Sequence, residues 1–166
     1  MRGYLIRRAL SSDASSIIAL IDAVGAEGIW LATERYAPTP QWEQVLYQPE
    51  HEPRALLLVA ETDEQIIGWC RVFPYKFGGK SRHVADIGIG VQKEFRRRGI
   101  GRALMEDAIA WARRQEYGKL TLDLFSSSEI AQHLFKMVGF HVVGIRARHA
   151  RINDAFVDEV LMEIEL

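Results

Sequence analysis

The chain has 166 residues, 48% of them hydrophobic and 26% charged, and a formal net charge of -1. That length suits one domain with a real core, and the even charge balance leaves no overall basic field for nucleic acid. A single cysteine, Cys70, excludes an internal disulfide and fits a reducing, cytoplasmic setting; no apolar run approaches a membrane span, no secretory leader is visible, and no CxxC or HExxH spacing offers a metal site.

Tyr4-Leu5-Ile6-Arg7 reads as a first strand. Ser11 or Ser12 can cap a helix carrying Ala14, Ile17, Ile18, Ile21 and Val24 at helical spacing, which Gly25 and Gly28 end. Residues 30–40 are rich in aromatics and broken by Pro38 and Pro40; 41–47 reads as a short helix. Pro49 and Pro53 mark a loop before an apolar strand at 55–60, and Asp63-Glu64 turns it into the strand that starts at Ile66, an antiparallel hairpin. Gly78-Gly79 precedes the strand that ends at Val91. A helix from Ile100 gathers Leu104, Ala108, Trp111 and Ala112 on one side, with Gly118 as its stop. After a strand at 119–124 and a helix leading to Gly139-Phe140, the last strand (156–166) keeps Phe156, Val160, Met162, Ile164 and Leu166 on one face.

No repeat or linker interrupts this pattern, so 1–166 reads as one domain. A purely parallel, doubly wound sheet does not give this order. It predicts an α+β fold: a mixed central β-sheet flanked by helices, antiparallel early and parallel where a helix joins the Val91 strand to the Leu120 strand.

The chemistry concentrates in Arg96-Arg97-Arg98-Gly99-Ile100-Gly101-Arg102, between that strand and that helix. The first amides of a helix have no intrahelical acceptor and its dipole favours negative charge there, so strand, Gly- and Arg-rich turn and helix start make an anion site. Gly99 and Gly101 let a phosphate approach the backbone. GxxxxGK[ST] and GxGxxG are both absent.

The form [Gln/Arg]-x-x-Gly-x-[Gly/Ala], filled by Arg96, Gly99 and Gly101, resembles the pyrophosphate loop of the GNAT superfamily of acetyl-CoA-dependent N-acetyltransferases. Val91-x-x-x-Phe95-Arg96, the strand at 119–124, and Ala131 through Leu134-Phe135 to Gly139-Phe140 extend the resemblance over residues 4–166. It implies the GNAT fold and acetyl transfer to a primary amine of a small molecule or peptide, by direct attack in a ternary complex. It implies that Arg96, Arg97, Arg98, Gly99, Ile100, Gly101 and Arg102 hold the pyrophosphate and that Ile89, Gly90 and Val91 pair with the pantetheine arm. A homodimer is the family's frequent state.

Asp86, an acid inside an apolar strand, is the candidate general base; the alternative is a structural carboxylate tied to an Arg or to backbone amides. Regular alternation puts Gly88 and Gly90 on its face, leaving space above it. Phe135 stands where the family usually has a Tyr that protonates the leaving thiolate, and Ser128 where it usually has an Asn on the pantetheine arm. These departures support a second reading, an acyl-CoA-binding or regulatory domain with little turnover. Glu27 and Tyr36 are candidate acceptor contacts, along with the loop at 75–79 and residues 146–153. Asp158-Glu159 reads as an acidic pair or as the protective charges of an edge strand. Cys70 reads as a small core residue rather than an acyl carrier.

Overall fold

The computed structural model describes residues 3–63, 65–76 and 78–166. Glu64 of the expected turn and Phe77 of the expected acceptor loop lie outside the described residues. The chain runs β1 (Leu5–Arg8), α1 (Ala14–Gly25), α2 (Pro40–Tyr47), β2 (Leu56–Glu61), β3 (Ile66–Pro74), β4 (Val84–Val91), α3 (Ile100–Arg114), β5 (Lys119–Phe125), α4 (Glu129–Met137), β6 (His141–Ile152) and β7 (Ala155–Glu165). The strands form one sheet in the order β1-β2-β3-β4-β5-β7-β6. Among the described residues only the β4–β5 pair is parallel, as expected where a helix connects two strands.

Strand alternation sorts the core into two layers. Leu58, Cys70, Val72, Ala85, Ile87, Leu120, Leu122 and Met162 pack on one face with Leu104, Met105, Ala108 and Trp111 of α3 and Phe135 of α4. On the other face, Leu57, Val59, Trp69 and Phe73 pack against Ile17, Ile21 and Val24 of α1 and Val45 and Leu46 of α2. The second layer draws on β2 and β3 but on none of β5, β6 and β7. That half of the second face carries no buried apolar layer among the described residues.

Local details depart from the sequence expectation in instructive ways. Ser11 and Ser12 lie in a short 3-10 turn, and the carboxylate that accepts the Leu10 N–H (2.7 Å) belongs to Asp13. α2 begins at Pro40 behind a Thr39 cap, where proline's missing N–H costs nothing. α3 ends at Arg114; Glu116, not Gly118, takes the left-handed conformation after it (φ 58°). The final strand is not an edge. β7 lies between β5 and β6, joined to β6 by a two-residue turn in which Asn153 and Asp154 both have positive φ. The edge-strand account of Asp158-Glu159 is thereby set aside.

The feature that positions the site is a gap. β4 and β5 pair only from Val84↔Lys119 to Asp86↔Thr121. Beyond that point β4 continues beside β3 without a register shift up to Gly68↔Val91, while β5 continues beside β7 up to Phe125↔Glu159. The two strands diverge, so from Ile87 to Val91 one side of β4 has no strand partner among the described residues.

Candidate active site

The glycine-rich turn stands at the wide end of this gap. Arg97 (φ 60°) and Gly99 (φ 80°) turn the chain into α3. The first amide there to close a helical turn is that of Ala103, donating to the Gly99 carbonyl (3.0 Å). The amides of Ile100, Gly101 and Arg102 therefore lie ahead of the helical ladder. A Cβ built on Gly99 meets nothing within 4 Å, whereas one on Gly101 comes 3.2 Å from Leu134 Cδ2, 3.8 Å from Ile89 Cδ1 and 3.9 Å from Val91 Cγ2. Gly101 thus faces the crevice where α3, β4 and α4 converge, and a side chain would fill it. Arg97 and Arg98 are exposed, and Arg102 pairs with Glu106 one turn on (2.8 Å). Open amides, close backbone approach and exposed guanidinium groups fit a pyrophosphate.

Arg96 has a different task. Its Nε donates to the Val91 carbonyl (2.9 Å), and its two terminal nitrogens donate to Glu27 (2.8 and 2.5 Å). Glu27 also accepts from the indole N–H of Trp30 (2.8 Å), and the guanidinium lies over that ring, 5.0 Å from its centroid. Arg96 holds the carboxyl of Glu27 below the usual glutamate range. Glu27, expected to meet the acceptor, instead braces the loop after α1 against the start of the turn. Tyr36 is also engaged: its hydroxyl donates to Glu43 (3.0 Å) and its N–H to Asp22 (2.5 Å). Burial and Glu43 push its phenol upward, so it stays protonated.

Asp86 sits at the narrow end of the gap, on the face that α1 and α2 cover further along. Its carboxylate accepts from Arg71 of β3. The guanidinium of Arg71 lies 4.7 Å from the Phe73 ring centroid and 5.8 Å from that of Trp42. Asp86, Gly88 and Gly90 do share a face, as the alternation predicted, but the space above the glycines is filled from β3. A Cβ on Gly88 would come 3.1 Å from Arg71 Nε, and one on Gly90 would come 2.6 Å from Trp69 Nε1.

Further charges continue this row; the sequence offered Glu159 as half of an acidic pair and Arg146 at the start of an acceptor segment, and only Asp123 went unnoticed. Asp123 of β5, Glu159 of β7 and Arg146 of β6 follow from register: Asp86 is level with Thr121, Asp123 with Leu161, and Glu159 with Arg146. Arg146 donates to Glu159 (2.5 Å) and approaches Asp123 (3.7 Å), and His149 lies 3.5 Å from Glu159. The signal for Asp123 was present in Thr121-Leu122-Asp123-Leu124, whose alternation sets the Asp opposite the core leucines.

On the helical wall, the Ser128 hydroxyl is buried and donates to the Ile29 carbonyl (3.1 Å). Phe135 is buried against Phe140, with ring centroids 6.1 Å apart. Ala131 and Gln132 are half-buried, whereas His133 is exposed. Cys70 is fully buried in the core, which pushes its thiol up to about 12. Among the described residues no His, Cys, Asp and Glu group could hold a metal ion, and no helix is long and apolar enough to cross a membrane.

The chain matches a model of the acetyltransferase (GNAT) family over residues 23–140. It is 30% identical over 109 residues to the L-amino acid N-acetyltransferase AaaT of Escherichia coli, a match covering 63% of this chain and 65%, just under two thirds, of that protein. Among solved structures, an acetyltransferase of the GNAT family from Streptococcus pneumoniae superposes with a TM-score of 0.88 at 26% identity, over 98% of this chain and 99% of that one. The fold of yncA from Salmonella typhimurium, solved with acetyl-CoA, superposes with a TM-score of 0.87 at 18% identity, over 99% and 94%. The family match spans most of the chain and the superpositions cover nearly all of the sheet and its helices, and the chain belongs to the acetyltransferase (GNAT) family.

Proposed function

We propose that this chain is an acetyl-CoA-dependent N-acetyltransferase that passes the acetyl group to a primary amine of a small molecule or peptide by direct attack in a ternary complex. The observation that carries this reading is the gap after Asp86↔Thr121, which leaves one side of β4 without a strand partner among the described residues, on the strand that leads into the turn before α3. The amides at 97–102 and the Arg97, Arg98 and Arg102 side chains hold the pyrophosphate. The free side of Ile89, Gly90 and Val91 takes the pantetheine arm as a further strand would be taken, and a backbone N–H there polarises the thioester carbonyl. Acetyl-CoA supplies the activated acyl group.

The acceptor enters from the opposite side, over the charged row of β3 to β6. A carboxylate on that face receives the ammonium proton; from the sequence this is Asp86. The buried, protonated thiol of Cys70 argues against an acyl-cysteine route, because the thiolate is the nucleophile. The activity of the E. coli relative makes an L-amino acid the first acceptor to try.

The second reading, a domain that binds acyl-CoA with little turnover, draws on Phe135, which has no proton to give, and on Ser128, whose hydroxyl is occupied by Ile29. Calorimetric titration with acetyl-CoA, then with CoA, followed by thiol release in the presence of amines, separates the two. Micromolar one-to-one binding with thiol release supports the enzyme. Binding without release on any amine supports the second reading, and no binding by folded protein removes both.

A further inference from the structure

On the half-open face a row of charged side chains crosses the sheet from β3 to β6: Arg71, Asp86, Asp123, Glu159 and Arg146 in spatial order. The outer carboxylates are paired. Asp86 accepts from Arg71, and Glu159 accepts from Arg146 with His149 beside it. Asp123, between them, receives no hydrogen bond among the described residues, and Arg146 stands 3.7 Å away. It lies two residues past Thr121, the last β5 residue paired with β4, so it stands on the wall of the gap, with its side chain 44% exposed.

The Asp86 oxygen that faces Arg71 already accepts a hydrogen bond, which it would have to give up to take a proton there. Asp123 faces the gap with no hydrogen bond among the described residues to give up, its nearest guanidinium, that of Arg146, standing 3.7 Å off. We infer that Asp123, rather than Asp86, takes the proton from the acceptor ammonium, while the Arg71–Asp86 pair positions the acceptor. This rests on the acetyl-transfer reading above. Burial first, then the Glu159 and Asp86 carboxylates, push the Asp123 carboxyl above its ordinary value, against the pull of Arg146 and Arg71.

The step balances as follows. One ammonium proton moves to an Asp123 oxygen. The freed nitrogen lone pair attacks the thioester carbonyl carbon, forming the C–N bond. The nitrogen gives up a second proton as the C–S bond breaks and the thiolate sulfur takes one up. Asp123 returns its proton to solvent.

The test compares wild type, Asp123→Asn and Asp86→Asn with common L-amino acids and a short peptide with a free N-terminus as acceptors. Acetyl-CoA affinity is measured in each variant by calorimetry. The expected result for Asp123→Asn is unchanged affinity, a kcat lower by about 10²–10⁴-fold at neutral pH, and loss of the acidic limb of the pH–rate profile, with recovery at alkaline pH where the amine sheds its own proton. Asp123→Glu should restore part of kcat. Asp86→Asn should act mainly on the acceptor KM and keep the acidic limb. A wild-type pH profile in Asp123→Asn, or loss of the acidic limb in Asp86→Asn instead, overturns this inference and leaves acetyl transfer intact. Failure of wild type to bind acetyl-CoA overturns both. A carbon-13 NMR titration placing the Asp123 midpoint at or below the ordinary aspartate value overturns the inference without any assay of turnover.

Discussion

Glu27 and Arg96, 69 positions apart in the chain, are joined by two parallel hydrogen bonds of 2.5 and 2.8 Å, with the Trp30 ring against the guanidinium. The pair ties the segment after α1 to the first residue of the phosphate turn. It is only partly exposed, at 25% for Arg96 and 20% for Glu27. Glu27→Gln should cost about 1–3 kcal/mol of stability at pH 7, since a charge-assisted pair is lost and Arg96 keeps a weaker acceptor. The sign with pH follows from the lowered carboxyl. Its contribution is full above the ordinary value of 4.5 and fades as pH falls through the lower folded value. Urea melts of wild type and variant should therefore converge on acidification below that value. A gap that stays constant down to strong acid would contradict the pairing.

Gly90→Ala should destabilise the fold by about 1–3 kcal/mol, because the methyl would sit 2.6 Å from the packed indole of Trp69. Gly88→Ala meets the movable end of Arg71 at 3.1 Å and should cost less. Thermal melts rank the two, and the reverse order would contradict the contact.

Gly101→Glu places a carboxylate in the crevice lined by Leu134, Ile89 and Val91, beside the phosphate turn. Acetyl-CoA affinity should fall at least about tenfold, or 1.4 kcal/mol, while the far-ultraviolet circular dichroism stays native. Unchanged affinity would refute the turn as the cofactor site.

Phe135→Tyr restores a hydroxyl on the buried ring that faces Phe140. If the missing proton donor limits the rate, kcat should rise, by up to about 10²-fold at the low end of acid catalysis. No gain means another donor serves the thiolate or chemistry is not limiting.

Cys70, with its thiol raised to about 12 by full burial, should resist alkylation in the native state at pH 8 and react on unfolding. Cys70→Ala should keep turnover. Rapid native labelling together with loss of activity would revive a covalent route.

The residues that were legible in the sequence are those whose role is local. The glycine-rich turn, the order of elements and the apolar faces of α1 and α3 depend on spacing within a short window. Asp86 was legible as an acid in an apolar strand, but its pairing with Arg71 was not, since it depends on the diagonal register of β3 against β4. The same register hid the occupants of the space above Gly88 and Gly90. Glu27 read as an acceptor contact, and its bracing role stayed hidden because its partner lies far along the chain. Asp123, Glu159 and Arg146 come together only once β7 is known to lie between β5 and β6, and no local pattern carries that fact.

That insertion has a kinetic meaning. β7 is made after both β5 and β6, yet it lies between them, and the Leu166 N–H bonds the Gly118 carbonyl at the foot of β5 (3.0 Å). During synthesis β5 must wait with a bare edge while β6 emerges ahead of β7, its one strand neighbour among the described residues. Exposed edges of this kind invite wrong partners. The cofactor turn and β1 to β4 can assemble early from nearer contacts, whereas the wall carrying Asp123 closes only when the final strand slides into place.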